Sequence, residues 1–174
     1  ETSSPAHLGY RWPAEWEQQA SVWLSWPRNR ESWPDHFEPV PGEFAQFVRL
    51  LAEYEPVNIL AGRPEVMAEA RALVGNLKNV ALHDIPTNDA WCRDHGPIFV
   101  RREVDGLVEE AILDWGYNAW GGKYPPYDLD DVIPTRIGEE YGIPVYHPDM
   151  ILEGGSIEVN GQGTLLTTEA CLLN

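Results

Sequence analysis

Two carboxylates, an amide, an indole and a guanidinium crowd into one short connection at residues 87–97, TNDAWCRDHGP. An apolar run, Val80-Ala81-Leu82-His83-Asp84-Ile85, precedes it and is closed by Pro86; a second run, Ile98-Phe99-Val100, follows Gly96-Pro97. Short apolar runs bounded by proline and glycine read as strands, so the polar groups sit on a loop between two strands. Loops held by a rigid scaffold are where binding and catalytic groups concentrate. Asp89, Asp94 and the face of Trp91 suit a cation, because ionised carboxylates make charge-assisted hydrogen bonds and an indole adds cation–π attraction. The same residues also suit a purely structural loop, with the Asp side chains bonding their own backbone and Trp91 filling core.

A second acid stands in a similar setting. Glu153 follows the apolar run Met150-Ile151-Leu152 and precedes Gly154-Gly155, as Asp94 lies just before Gly96. Glycine beside an acid lets a ligand approach the backbone closely. Position alone therefore selects Asp94 and Glu153 as the leading acids. An acid pair among many aromatics also suits a glycosidase. A noncatalytic carbohydrate-binding module would need only the aromatics, and Glu153 could simply accept the Gly154 and Gly155 amides.

The elements that must position these residues alternate between strand and helix. Residues 21–26 read as a strand stopped by Pro27, followed by a long excursion to residue 41. Phe44, Phe47, Val48 and Leu51 fall at helical spacing, which predicts a helix over 43–54 that starts after Pro41-Gly42. Residues 57–61 predict a buried strand. Pro64 opens a second helix whose inner face is Val66, Met67, Ala70, Leu73 and Val74, ended by Gly75-Asn76. Asp105-Gly106 is a hairpin signal, and Asn160-Gly161-Gln162-Gly163 is another, between 157–159 and 164–167. The glycines, prolines and aromatics of residues 115–127 predict an irregular wall packed over something. Asp128, Asp130 and Asp131 precede Val132-Ile133, where acids favour a helix N-terminus and Pro134 belongs in the first turn. A hard metal site is the other reading of those acids. Residues 143–146 suggest a further strand. No domain linker interrupts the pattern, so residues 1–174 read as one domain.

The totals narrow the class. The 174 residues are 43% hydrophobic, enough for a sizeable core. A formal charge of −16 opposes binding to nucleic acid or to an anionic membrane face. No apolar run approaches the ~20 residues that span a bilayer, and residues 1–5 do not read as a signal peptide. Cys92 and Cys171 form neither a disulfide framework nor a paired zinc spacing, which makes a reducing cytoplasm the expectation. Cys171 is expected to be a small buried residue near a strand end. Most of the eight tryptophans are expected in the core. His7, His36, His83 and His147 have no distinguishing partner in the sequence.

Residues 11–17 (RWPAEWE), 87–97, 115–131 and 152–174 (LEGGSIEVNGQGTLLTTEACLLN) resemble the agmatine deiminase and bacterial-type peptidylarginine deiminase family of guanidino-modifying enzymes. The resemblance covers nearly the whole chain, and the agmatine branch is its first choice. It implies an α/β fold, the pentein β/α-propeller of five ββαβ-type units, with this chain supplying about half. It implies hydrolysis of a guanidino C–N bond: a cysteine thiolate attacks the guanidinium carbon, ammonia leaves, and a histidine-activated water resolves the covalent intermediate. By resemblance Asp94 holds the guanidinium nitrogens, Glu153 orients the catalytic histidine, and Trp91 lies beside the substrate. Asp89 is given a substrate-binding or loop-shaping role. Neither cofactor nor metal is implied. The implied partners are a small cationic guanidino substrate and the C-terminal half of the same propeller, with room for a homo-oligomer, in cytoplasmic polyamine and putrescine biosynthesis. One departure stands out: the family's Gly-His-x-Asp and Gly-Gly-x-Ile-His-Cys-type segments, which carry its histidine and cysteine, are absent. Cys92 and His95 fall where the motif leaves positions free.

Overall fold

The computed structural model describes residues 4–173; residues 1–3 of the N-terminal stretch and Asn174, the last residue of the C-terminal motif, lie outside the described residues. The described residues form two compact units, residues 19–92 with 126–130, and residues 4–18 with 93–125 and 131–173.

The first unit is built on a parallel sheet. Strands β1 (Val22–Ser25), β2 (Val57–Leu60) and β3 (Val80–His83) lie in sequence order, with Val22 opposite Val57 and Val57 opposite Val80. Parallel neighbours need crossovers. Helix α1 (Val40–Leu51) connects β1 to β2, and α2 (Pro64–Val74) connects β2 to β3. Helix α1 begins three residues before its expected start, at Val40, with Pro41 inside the first turn. Proline is tolerated there because its missing N–H would have no intrahelical partner. Ala45 and Val48 of α1, Val66, Ala70 and Val74 of α2, and Val57 and Ile59 of β2 close a core around Trp26. Trp26 is fully buried, and its Nε1 donates to Glu69 Oε2 at 2.7 Å, which satisfies the one polar atom such a ring carries inside.

Segment 126–130 locks onto residues 87–90 of the same unit. Asn88 N donates to Asp130 Oδ1 at 2.7 Å, while Asn88 Oδ1 accepts from Leu129 N at 2.8 Å and Asp130 N at 3.2 Å. On the other side Arg28 Nη1 donates to the Thr87 and Asn88 carbonyls. The acids before residue 132 therefore do not cap a helix as expected. Asp130 serves the lock, and the helix that follows has Val132 at its N-cap with no side-chain cap. Among the described residues, no group of three His, Cys, Asp or Glu is placed to hold a metal ion.

In the second unit a one-turn helix, α3 (Cys92–His95), replaces part of the expected loop. It leads into the hairpin of β4 (Ile98–Val104) and β5 (Leu107–Leu113), turned by Asp105 and Gly106 at φ 53° and 79°. Both turn residues are left-handed, which matches the strand twist and explains the Asp-Gly pair. A four-residue turn, α4 (Ala119–Gly122), precedes α5 (Ile133–Tyr141), whose first turn holds Pro134 as expected. Strand β6 (Val145–Tyr146) pairs in parallel with β5. Strands β7 (Glu158–Val159) and β8 (Leu165–Leu166) form the second expected hairpin, and α6 (Glu169–Leu172) follows. Cys171 is exposed on α6 rather than buried, its Sγ beside the Thr168 hydroxyl at 3.1 Å. The expectation that most tryptophans are core is not met: Trp26 alone is fully buried, and Trp16, Trp91 and Trp120 are exposed. Among the described residues no helix is long and apolar enough to cross a membrane.

Asp130 makes the stability of the lock depend on pH. Burial raises its pKa from the ordinary 3.8 to about 7, helped by the Asp89 charge; the backbone N–H groups of Asn88 and Asp89 and the Arg28 guanidinium oppose the rise. With the folded pKa above the unfolded one, the folded state holds more protons between these values, so stability falls as pH rises from about 4 through about 7. The loss is expected to reach up to roughly 4 kcal/mol, at ~1.4 kcal/mol per unit. Urea unfolding of the chain at pH 5 and pH 8 checks this, and Asp130→Asn is expected to show the shallower pH dependence of the two proteins.

Candidate functional site

Asp94 sits in the single turn of α3, immediately before the buried His95. Glu153, 9% exposed, ends the run Met150-Ile151-Leu152 and starts a 3-10 turn over Gly154–Ser156. The structure brings these two acids together. The Gly155 N–H donates to the Asp94 carboxylate, and the Glu153 charge acts on it. A Cβ on Gly154 would lie well inside van der Waals distance of the Arg93 carbonyl oxygen, and one on Gly155 would meet Asp94 Oδ1. The double glycine thus admits α3 at backbone distance, a different use of glycine from the ligand approach expected of it.

Three supports fix this contact. Below it, Leu152 and Ile157 pack with Ile98 of β4, and Trp12, Leu113 and Trp115 close the cluster. Beside it, Arg93 pairs with Glu15 of the RWPAEWE motif and, at 3.0 Å, with Glu158 of β7. Behind it, Arg11 bonds in parallel to both carboxylate oxygens of Glu17 at 2.7 and 2.8 Å, and Arg101 of β4 reaches the same carboxylate. The arginine of the first motif is therefore spent on a structural pair, and Glu15 reaches the residue before Asp94.

Burial is the main cause that raises the Asp94 pKa above the ordinary carboxylate range, and the Glu153 charge adds to it; the Gly155 N–H and Arg93 pull it down. A partly buried carboxylate whose ionised form is disfavoured gains when a cation arrives. At Asp94 that cation can be any planar group with N–H donors, which bond charge-assisted to a carboxylate.

Asp89 and Trp91 belong to the parallel-sheet unit. Asp89 is 7% exposed, with Oδ2 accepting from Asn29 Nδ2 at 2.9 Å and from Ser32 Oγ, and Oδ1 accepting from Ala90 N at 2.8 Å. Trp91 is 41% exposed, which leaves its ring accessible and out of the core. Sequence reasoning missed the partners of Asp89. Asn29 and Ser32 lie in the excursion after β1, about sixty residues upstream, and no local pattern links the two stretches.

The double glycine gives a direct check on this geometry. Gly154→Ala drives a methyl into a backbone carbonyl that cannot move aside, and is expected to destabilise the chain by about 1–3 kcal/mol. Gly155→Ala meets only the end of a side chain, so near-normal thermal unfolding is expected, with the Asp94 carboxylate turned from its place in a crystal structure of the variant. Equal losses of stability would contradict the assignment.

Similarity to known proteins is extensive. The model of the Porphyromonas-type peptidyl-arginine deiminase family matches residues 11–174. Agmatine deiminase of Pseudomonas aeruginosa (strain LESB58) is 41% identical over 99% of this chain and 47% of its own length. The Stutzerimonas stutzeri (strain A1501) agmatine deiminase is 39% identical with the same coverage. A solved agmatine deiminase of Enterococcus faecalis superposes with a TM-score of 0.88 at 37% identity, over 99% of this chain and 47% of that one. The chain thus spans about half the length of the curated relatives it matches. Its fold is theirs over that half, an α/β arrangement forming part of a pentein propeller. By motif, by sequence and by structure, the chain belongs to the Porphyromonas-type peptidyl-arginine deiminase family.

Proposed function

We propose that this chain is the substrate-binding half of a single agmatine deiminase-like domain. The whole protein hydrolyses agmatine to N-carbamoylputrescine and ammonia, in the cytoplasm. The convergence of Asp94 and Glu153, with the Gly155 N–H on the Asp94 carboxylate, is the observation that carries the reading. The relatives named agmatine deiminase favour agmatine over a peptidyl-arginine.

Asp94 takes the guanidinium. A guanidinium stays protonated at neutral pH, so a carboxylate must balance its charge once water is excluded. Glu153 orients the imidazole that acts as general base, and Trp91 lies along the substrate. Asp89 shapes the loop between them, since its acceptor oxygens already serve Asn29, Ser32 and Ala90. The nucleophilic cysteine and the histidine come from the rest of the propeller, outside this chain. The thiolate adds to the guanidinium carbon and ammonia departs with a proton from the base. Water then breaks the carbon–sulfur bond and returns the thiol.

Ammonia release from agmatine, free arginine and a peptidyl-arginine, assayed with the full-length protein, tests the reading; the largest kcat/KM is expected for agmatine. Residues 1–174 alone are expected to turn over none of the three. In the full-length protein Asp94→Asn replaces an acceptor oxygen with a donor amide that faces another N–H. Breaking a buried charged pair this way costs about 2–5 kcal/mol, so kcat/KM is expected to fall some thirty-fold to several thousand-fold. Thermal stability is expected to hold, because burial and the Glu153 charge already disfavour the ionised Asp94. Lower stability with near-normal kcat/KM would remove Asp94 from the site.

A further inference from the structure

A second element of the same unit is built at a conformational cost. Ala119, Trp120, Gly121 and Gly122 stand in sequence at φ 50°, 57°, 78° and 76°, one turn of left-handed helix. Glycine adopts this freely, but in alanine and tryptophan Cβ crowds the following carbonyl oxygen. Asn118 holds the turn: its Oδ1 accepts from Gly121 N and its carbonyl from Gly122 N, each at 2.7 Å. Core packing accounts for Ala119, 2% exposed. It does not account for Trp120, which the strained turn leaves 38% exposed.

Trp120 belongs to a ring ladder that begins at His95, the residue after Asp94 on α3. The His95 ring meets Tyr117 edge-on at 5.8 Å between centroids, Tyr117 meets Trp120 at 6.0 Å, and Trp120 meets Tyr124 at 5.8 Å. Tyr117 itself is fixed, 4% exposed and held through its N–H by Asp131 Oδ1 at 2.6 Å. An exposed aromatic is thus tied through packed rings to α3, the turn that carries Asp94. Strained backbone that persists to present a side chain marks functional positions.

We infer that Trp120 is a specificity-determining residue: its indole is the surface on which the substrate's alkyl arm packs beyond the guanidinium. This rests on the reading of Asp94 as the guanidinium partner. Rings suit methylene groups by apolar contact, and the ladder ties that contact to the Asp94 end of the ligand. A guanidinium compound with no arm gains nothing from Trp120.

The test compares two ligands on the full-length protein and its Trp120→Leu variant: the KM for agmatine, and the inhibition constant of methylguanidine against agmatine. Trp120→Leu is expected to raise the agmatine KM about ten-fold, the worth of one to two buried methylene groups, and to move the methylguanidine constant less than two-fold. Where Trp120→Leu fails to fold, Trp120→Phe, which keeps a ring on the ladder, must show the same selective loss at smaller size. Equal changes for both ligands, or no change for either, overturn the inference and leave the Asp94 assignment standing. No turnover of any guanidino substrate by the unaltered protein overturns both.

Discussion

The meeting of Gly154-Gly155 with the turn that carries Asp94 is the constraint on which the rest of the second unit depends. Two segments some sixty residues apart in sequence approach at backbone distance because neither glycine has a side chain. One N–H then binds the Asp94 carboxylate, and Glu153 is carried in beside it. Burial first, and the Glu153 charge after it, raise the cost of ionising Asp94. Ile98, Leu152 and Ile157 beneath the contact supply the apolar burial that holds it closed. The ion pairs of Arg93 with Glu15 and Glu158 are partly exposed, so they fix geometry more than they add stability.

The parallel-sheet unit solves a different problem with the same loop. Residues 87–90 are nearly all buried and polar, which is unfavourable unless every donor and acceptor finds a partner. Arg28, Asn29, Ser32 and segment 126–130 provide those partners. In a low-dielectric interior such a network rigidifies when complete and is costly when broken. Asp130 keeps one weakness in it, since its charge is buried beside that of Asp89.

Much of this was legible in the sequence, for reasons that are local. Apolar periodicity located α1 and α2, and the Asp105-Gly106 and 160–163 turns located both hairpins, because turn chemistry and helix faces are encoded within a few residues. The misreadings concern long-range partners. The acids at 128–131 look like helix caps until Asn88, forty-two residues away, and Tyr117 claim Asp130 and Asp131. Cys171 has an apolar neighbourhood in sequence yet lies on an exposed terminal turn. Residues 115–127 read as an irregular aromatic wall. That Ala119 and Trp120 take a left-handed turn carries no sequence signal, because neither residue favours it. At the site, the glycines beside Asp94 and Glu153 singled out both acids. Their proximity follows from backbone approach, which spacing does not encode.

The central claim is that the Asp94 carboxylate receives a guanidinium. A crystal structure of the full-length protein with a bound, slowly reacting guanidinium ligand asks this directly. Two ligand nitrogens are expected within about 3 Å of the Asp94 carboxylate oxygens, with the Gly155 N–H still on that carboxylate. A ligand seated elsewhere, with Asp94 bonded only to Gly155, would contradict it.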